Sequence, residues 1–241
     1  EFYLNAQVVH VTVKGKTIKI GKPGIIRRAE PSPDGQYILI ETIHRPFSYL
    51  VPVYRFPTLV EIMDLKGNVV SHLRDLPLAE SLPKGFGAVI TGPRSYGWRS
   101  DLGSTIYYLE ALDGGDPKAK AVHRDEVFTL EAPFIGIPES LIKLDLRFAG
   151  VRWGSKNIAL VSTREWSTRR TTTWMVNPSM AGAKPKKIID RLYEDRYGDP
   201  GLPMMTLNRF GRNVLLFGES SGTIFLAGNG SSPEGDRPFI D

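Results

Sequence analysis

The sequence predicts an all-β fold, and three observations carry this prediction. No stretch of three helical turns places apolar residues at i, i+3, i+4 and i+7 between a polar cap and a glycine stop. Short apolar runs rich in β-forming residues recur along the chain instead, each after a tight polar turn. Four of these runs begin at Tyr37, Ile106, Ile158 and Val214, which lie 69, 52 and 56 residues apart.

The repeated unit indicates the architecture. The polar turns before the four runs occupy residues 30–35, 98–103, 152–157 and 208–213. A repeat of about 40 to 50 residues with about four strands is typical of a β-propeller blade, and longer steps indicate loops inserted between strands. The nearly continuous apolar runs fit strands that are covered on both faces. We therefore predict an all-β, partial β-propeller with about four blades or part-blades of a larger propeller.

Further strands are predicted around these runs. In chain order they cover residues 8–13, 17–20, 59–64, 69–73, 121–130 and 238–241. Residues 65–68, Leu-Lys-Gly-Asn, are a hairpin-type turn between two of them. The first pair is typical of outer strands whose inner strands would precede Glu1, and we expect the last strand to be cut off before its hairpin partner. Because open edges favour aggregation, we expect residues 1–241 to be one propeller segment of a longer chain.

Composition limits the function classes. Thirty-one Lys and Arg against 26 Asp and Glu give a net charge of +5, and 41% of the residues are hydrophobic, which excludes disorder and collagen. The absence of cysteine excludes disulfides, thiolate nucleophiles and cysteine-ligated zinc. No window approaches the roughly 18 apolar residues of a membrane span. No compartment, cofactor or membrane partner is predicted.

Five segments carry a resemblance to a known family. They are residues 30–35, 43–52, 75–80, 112–116 and 168–174. In this order they resemble the propeller region of prolyl oligopeptidase-type serine peptidases, and especially the glutamyl endopeptidases of chloroplasts and bacteria. The resemblance implies a two-domain enzyme in which a propeller covers the active site of a C-terminal α/β-hydrolase domain. Residues 1–241 would then be the non-catalytic segment that admits peptide substrates, with the hydrolase domain as its partner.

One motif competes with this view. Gly218-Glu-Ser220-Ser-Gly222 matches the G-x-S-x-G nucleophile elbow of α/β-hydrolases. An elbow must lead into a helix, but residues 223–226 are a β-forming run. The required order is Ser, acid and then His, and all four histidines precede Ser220. We therefore interpret the motif as a hairpin turn and predict no catalytic residue in this chain.

Two groups of ligand-type side chains are interpreted as structural. His10, His72 and His123 lie in strand-like runs, and none has a partner at a recognised metal spacing. The residues Glu194, Asp195 and Asp199 offer the alternatives of a Ca²⁺ loop or a solvated turn, and their spacing is not that of an EF-hand. A solvated turn is the preferred interpretation, and no metal is predicted.

Basic residues concentrate between residues 148 and 191. This range holds nine of them against two acidic residues: Arg152, Lys156, Arg164, Arg169, Arg170, Lys184, Lys186, Lys187 and Arg191 against Glu165 and Asp190. Such a stripe is able to attract nucleic acid. Because no nucleic-acid-binding motif accompanies it, we favour a solvated surface or substrate steering and predict no nucleic-acid partner.

The candidate substrate-binding residues are Arg45, Tyr49, Arg169 and Arg170. A peptidase that prefers glutamate must hold a carboxylate, and a guanidinium group does so with paired, charge-assisted hydrogen bonds. The segments around the three arginines are predicted to be loops, and Phe47, Tyr49 and Trp166 are able to line a peptide pocket beside them. The alternative role of these arginines is ordinary salt bridging between blades. The alternative to the whole assignment is a stand-alone, non-catalytic propeller that binds a protein or glycan.

Overall fold

A computed structural model describes residues 2–83, 85–155, 157–180, 182–219 and 222–241. In these ranges the chain forms antiparallel β-sheets and two short 3-10 turns, at Phe2–Leu4 and Val53–Arg55. The predicted all-β class is confirmed. Strands form because β-branched, aromatic and leucine residues alternate or run together between glycine-containing turns, without the spacing of a helix.

Three large sheets contain most of the strands, and in each sheet the strands follow one another in chain order. The first sheet contains β1 (Ala6–Val11), β2 (Thr17–Pro31), β3 (Tyr37–Ile43), β4 (Thr58–Asp64) and β5 (Val69–Leu76). The second contains β6 (Arg94–Trp98), β7 (Thr105–Ala111), β8 (Asp125–Glu131) and β9 (Glu139–Leu144). The third contains β10 (Arg147–Ser155), β11 (Ile158–Arg164), β12 (Arg170–Val176) and β13 (Lys186–Leu192).

Shorter strands follow the third sheet. Three of them, β14 (Leu202–Pro203), β17 (Leu226–Gly228) and β20 (Phe239–Ile240), form one sheet. The hairpins are β15 (Met205–Leu207) with β16 (Asn213–Leu215), and β18 (Ser231–Ser232) with β19 (Gly235–Asp236). The predicted strand at residues 238–241 is present as β20, which pairs antiparallel with the earlier strand β17.

The four apolar runs of the predicted repeat begin at equivalent positions in their sheets. Tyr37, Ile106 and Ile158 lie in β3, β7 and β11, and Val214 lies in β16. Each strand follows a polar turn and pairs antiparallel with the strand before that turn. The predicted repeat is therefore present in the strand order. The predicted boundary at residue 20 is wrong, because β2 continues to Pro31 and pairs with β1 and then β3.

The predicted hairpin turn at residues 65–68 is confirmed between β4 and β5. The backbone N–H of Asp64 donates to the Asn68 carbonyl, and Gly67 has φ +85°. A Cβ on Gly67 would lie 2.2 Å from the Gly21 backbone nitrogen. Glycine is therefore required by both conformation and space. The predicted strand at 121–130 begins later, at Asp125, so His123 lies before it.

The antiparallel order separates two ends of the molecule. The turn end carries the β2–β3, β6–β7 and β15–β16 turns, where the Asn208 side-chain amide donates to the Ser100 carbonyl at 2.6 Å. The loop end carries the β3–β4, β5–β6, β7–β8 and β11–β12 connections. There the rings of Phe86 and Trp166, from connections of different sheets, stack with centroids 4.6 Å apart.

Two apolar clusters join the large sheets. The first cluster lies between the first and second sheets and contains Leu39, Val60, Ile62, Tyr96, Trp98, Ile106, Tyr108 and Phe134. The second lies between the second and third sheets and contains Leu109, Val127, Ile142, Leu144, Trp153, Ala159, Val161 and Val176. The β7 strand contributes to both clusters with side chains of opposite faces, because successive residues in a strand point to opposite sides. This explains its nearly continuous apolar sequence.

Candidate functional site

The β3–β4 loop at the loop end holds two of the predicted substrate-binding residues. The Arg45 guanidinium lies 5.4 Å from the Phe47 ring centroid, and this ring stacks on Phe56 at 5.7 Å. The Tyr49 side chain is fully exposed. The loop therefore presents an arginine beside an aromatic platform and a free phenol ring to solvent.

His44 anchors the first residues of this loop. Its backbone N–H donates to the Pro57 carbonyl, and its Nε2 lies 2.7 Å from the Asp75 Oδ1 in β5. The hydrogen bond to Asp75 raises the pKa of His44 above its ordinary value of 6.5. His44 is therefore a positioning residue for the segment that carries Arg45.

We expect the pKa of His44 to fall when Asp75 is replaced by Asn, because the imidazolium then loses the carboxylate that favours its charged form. A raised pKa means that this pair stabilises the fold fully below pH 6.5, and that the contribution is lost as pH rises through the folded pKa. NMR titration of the histidine ring protons measures this shift directly. His10 serves as the internal control, and an unchanged His44 titration in the Asp75→Asn variant would contradict the assignment.

Arg169 lies in the turn between β11 and β12, as predicted, with φ +57°. Its Nε is 3.2 Å from a Glu194 carboxylate oxygen, and its guanidinium carbon lies 4.1 Å from the Trp166 ring centroid. An Nη1 group also donates to the Tyr193 hydroxyl at 3.2 Å. Arg169 thus joins the turn to the segment after β13.

Arg170 does not lie in the predicted loop, because it is the first residue of β12. Its Nε and Nη2 both donate to the Asp190 carboxylate at 2.6 Å, in the neighbouring strand β13. Hydrogen bonds from Arg170, and a weaker one from Lys187, lower the pKa of Asp190 to about 2. This geometry is that of an ordinary salt bridge, the alternative role given above. Arg170 and Asp190 belong to one sheet, however, so the salt bridge does not join two blades.

The four candidate residues lie in two different sheets or their connections. Arg45 and Tyr49 lie in a connection of the first sheet, whereas Arg169 and Arg170 lie at the start of β12 in the third. Both third-sheet arginines already hold carboxylates of this chain. Their proposed role toward a substrate stays a prediction, and it requires those carboxylates to be displaced.

The region of the G-x-S-x-G motif has the geometry of a hairpin on both sides. Phe217 and Ile224 form an antiparallel bridge, and the Gly218 N–H donates to the Thr223 carbonyl at 2.9 Å. Ser220 itself lies outside the described residues. Because the chain returns as a strand, it does not enter the helix that an elbow requires.

The acidic residues after β13 are engaged locally. Asp199 forms an ion pair with Arg191 at 2.7 Å, and the Asp195 side chain accepts a hydrogen bond from the Gly198 N–H at 2.9 Å. Glu194 pairs with Arg169. No group of three metal-ligating side chains that could hold an ion is present in the described ranges. The geometry of this segment is that of a turn held by its own side chains.

The basic stripe of residues 148–191 is partly neutralised in the fold. Arg169, Arg170 and Arg191 each contact a carboxylate, and Lys187 lies 3.1 Å from Asp190. Lys156 lies outside the described residues. Exposed pairs of this kind contribute little stability. Within the described part of the chain, no helix has the length and apolar character needed to cross a membrane.

A cavity that sequence reasoning missed opens between the first and second sheets at the loop end. It has a volume of about 420 Å³, and we call it the arginine cavity. Its walls include the side chains of Arg27, Tyr54, Arg55, Phe56, Arg74, Leu76, Leu78, Leu82, Val89 and Ile90. The arginines are 19 or more residues apart in the sequence, so no local pattern marks them as one group.

A buried charge network was also missed. Arg147 donates to the Asp113 and Asp125 carboxylates at 2.7 and 2.8 Å. The two aspartate side chains are at most 1% exposed. Arg94 and Arg124 complete the network with contacts of 2.6 and 2.8 Å. These residues come from β6, β8, β10 and the β7–β8 connection. The network therefore fixes the start of the third sheet against the second at the loop end.

Comparison with known proteins identifies the chain's relatives. Over 246 residues it is 40% identical to a probable chloroplastic glutamyl endopeptidase of Oryza sativa subsp. japonica. The aligned region covers all of this chain and 26% of that protein. It is 38% identical over 247 residues to the corresponding protein of Arabidopsis thaliana, again with 100% and 26% coverage. The chain thus spans about a quarter of the length of these curated relatives.

No family model matches the chain. Among solved structures, it is similar to the acylaminoacyl peptidase of Pyrococcus horikoshii, with a TM-score of 0.47 and 12% identity, over 98% of this chain and 42% of that one. The assignment rests on the sequence relatives, whose identity extends from end to end. The chain is therefore homologous over its whole length to a segment of the glutamyl endopeptidases, the family that its ordered motifs predicted.

Proposed function

We propose that residues 1–241 are a β-propeller region of a prolyl oligopeptidase-like serine peptidase, and that this region controls access to the active site. The observation that carries the proposal is the 40% identity over the whole chain to a segment of a glutamyl endopeptidase. The consecutive antiparallel sheets support it, because a blade is a four-stranded sheet whose strands follow in chain order. In this proposal β6–β9 and β10–β13 are two complete blades.

The chain contributes shape and electrostatics rather than the chemical step. A C-terminal α/β-hydrolase domain supplies the nucleophile, the acid and the histidine in this proposal. Packed blades around the active site leave an opening that an extended peptide enters and a folded protein does not. The apolar clusters and the Arg147 network keep neighbouring sheets in a fixed relation, which a size filter requires.

The test uses the full-length protein and one cleavage sequence in two forms. The first form is an extended fluorogenic peptide, and the second is the same sequence placed in a surface loop of a stable folded protein. We expect a kcat/KM for the peptide that is larger by about tenfold or more, which corresponds to about 1.4 kcal/mol of activation free energy. Equal values would refute the gating role, and no hydrolysis of either form would refute the peptidase assignment.

The same assay tests the carboxylate role of Arg45. Replacing Arg45 by Ala is expected to reduce the preference for Glu over Gln before the cut by about 10- to 100-fold, because a charge-assisted hydrogen bond contributes about 1.5–3 kcal/mol. Arg209→Ala, an exposed arginine at the turn end, is the matched control. If both variants discriminate Glu from Gln as the parent does, Arg45 does not bind the substrate carboxylate.

Arg169 and Arg170 are tested through their partners as well as directly. If either arginine turns from its own carboxylate to the substrate, Glu194→Gln or Asp190→Asn is expected to increase the Glu preference, because the competing acceptor is weakened. Ala at positions 169 and 170 would then decrease it. Unchanged discrimination in all four variants would assign both arginines to structure alone.

The second candidate function is a stand-alone propeller that binds a protein or glycan. Exposed aromatic side chains at the loop end favour it, since Tyr49, Tyr54, Phe86 and Tyr197 are all well exposed. The coding sequence after Asp241, together with the intact mass of the native protein, separates the two functions. A nucleophile elbow followed by Asp and His supports the peptidase, whereas a stop after a few further strands supports the binding module.

A further inference from the structure

The arginine cavity has the size and wall chemistry of a ligand site. Its volume of about 420 Å³ lies in the range of known ligand pockets, about 300–1,000 Å³. It adjoins a recess of about 280 Å³ that shares Arg27, Tyr54, Arg55 and Leu76 with it. Leucine, valine, isoleucine and proline side chains contribute seven of its 17 lining residues. The cavity therefore combines an apolar lining with several guanidinium groups.

The cations in this cavity outnumber their carboxylate partners. In the described residues, no carboxylate forms a salt bridge with Arg55 or with Arg74, and the buried Nε of Arg55 has no hydrogen-bond partner. Glu41, an acidic residue that lines the recess, is shared by Arg27 and Arg28, with contacts of 3.5 Å each. Two guanidinium groups thus remain without a compensating negative charge.

Arg74 is held in place without being neutralised. Its Nη1 and Nη2 groups donate to the backbone carbonyls of Pro93 and Thr91 at 2.8 and 2.7 Å. Gly92, with φ +70°, lies so close that a Cβ there would be 2.3 Å from Nη1. The β5–β6 connection therefore fixes the orientation of this guanidinium group, and an oriented cation binds an anion at a smaller entropic cost.

A partly buried guanidinium group with an unsatisfied N–H is costly, because desolvation is not offset by a hydrogen bond. A carboxylate offsets this cost best, since its two oxygens match the fork of donors. The apolar walls suit the aliphatic stem of an acidic residue and a neighbouring apolar side chain. This combination favours a peptide over a nucleic acid, which would place sugars and further phosphates against leucine and proline.

We propose that the arginine cavity binds a carboxylate group of an acidic peptide segment, which the guanidinium groups of Arg55 and Arg74 receive. The site shares the β3–β4 loop with Arg45, but Arg45 itself and the start of β12 do not line the cavity. The inference does not rest on the proposed function, because it concerns binding to this region and not hydrolysis. The carboxylate is supplied either by a Glu or Asp side chain or by the C-terminus of the peptide.

The test is fluorescence anisotropy with three labelled peptides and the full-length protein. One peptide has an internal Glu and an amidated C-terminus, the second has Gln in its place and a free C-terminus, and the third has Gln and an amide. The protein is first treated with a covalent serine-hydrolase inhibitor, so that hydrolysis does not affect the readout. We expect the first or second peptide to bind at least about tenfold more tightly than the third, and the tighter one identifies the source of the carboxylate.

Arg55→Met is the decisive variant, because the Arg55 Nε makes no hydrogen bond that the fold would lose. It is expected to abolish the preference for the carboxylate peptide, whereas Arg55→Lys retains part of it. Arg209→Met is the control, with the same charge change at the turn end. Equal affinities for all three peptides, or an Arg55→Met variant that binds as the parent does, would overturn the proposal. The proposal would also be overturned if inorganic phosphate displaced the bound labelled peptide and the unlabelled carboxylate peptides did not.

Discussion

Replacement of Arg147 by Met is expected to lower the free energy of unfolding by about 3–5 kcal/mol, because it leaves two buried carboxylates with too few partners. Arg147 donates to Asp113 at 2.7 Å and to Asp125 at 2.8 Å. Its Nε also donates to the Gly87 carbonyl of the β5–β6 connection. The substitution therefore removes one side chain that ties three segments together.

The pH dependence of this loss follows from the pKa of Asp113. Burial alone would raise this pKa, but hydrogen bonds from Arg124 and Arg147 outweigh burial and lower it below 3.8. A carboxylate with a lowered pKa stabilises the fold above its unfolded pKa, and the contribution is lost as pH falls through the folded pKa. We therefore expect the difference between parent and Arg147→Met to be fully developed at neutral pH and to shrink as pH falls below about 4.

Urea unfolding followed by tryptophan fluorescence measures this difference at pH 7 and at acidic pH. Arg237→Met is the matched control, since that side chain is 76% exposed and lies 3.9 Å from the Glu234 carboxylate. The control is expected to change stability by no more than about 0.5 kcal/mol. A loss below about 1 kcal/mol for Arg147→Met would show that the network contributes no more than an average point substitution costs.

Replacement of Ile106 by Ala is expected to destabilise the protein by about 2–5 kcal/mol, the range for deleting a buried aliphatic side chain. Ile106 lies in β7, is fully buried, and belongs to the cluster between the first and second sheets. The surrounding rings of Trp98 and Tyr108 are rigid, so the cavity left by the deleted methyl groups closes only in part.

Ile137→Ala is the control for this change, because Ile137 has the same side chain but is 93% exposed. Unfolding in urea gives the stability difference, and hydrogen exchange of the β7 amides locates it. Faster exchange is expected in β7 and in its partner β8 for Ile106→Ala only. If the two variants lose equal stability, Ile106 does not contribute to a packed interface between sheets.

Sequence reasoning located the strands because their signals are local. The apolar runs at Tyr37, Ile106, Ile158 and Val214 were recognised from composition and spacing, and each lies in a strand of matching position. The hairpin turn at Gly67 was recognised because the glycine conformation it needs is a property of a few consecutive residues. Resemblance of ordered motifs was sufficient to identify the relatives.

The candidate site was predicted less well. Arg45 and Arg169 were placed in connections between strands, and the structure places them there. Arg170 was assigned to a loop because the pattern did not show that its partner, Asp190, lies diagonally across in β13, opposite Thr172. A pattern of side chains tells which face of a strand a residue occupies, but not which strand lies beside it.

Strand positions, turns and family were thus determined by the sequence, since each depends on residues that are close together in the chain or on motifs in a fixed order. Only the tertiary structure decided which charges meet. Arg147 reaches Asp113 across 34 residues, and Arg55 and Arg74 meet at one cavity because two strands and their connections fold beside each other. The free energy of such contacts depends on burial and on distance in space, and neither quantity is encoded in local periodicity.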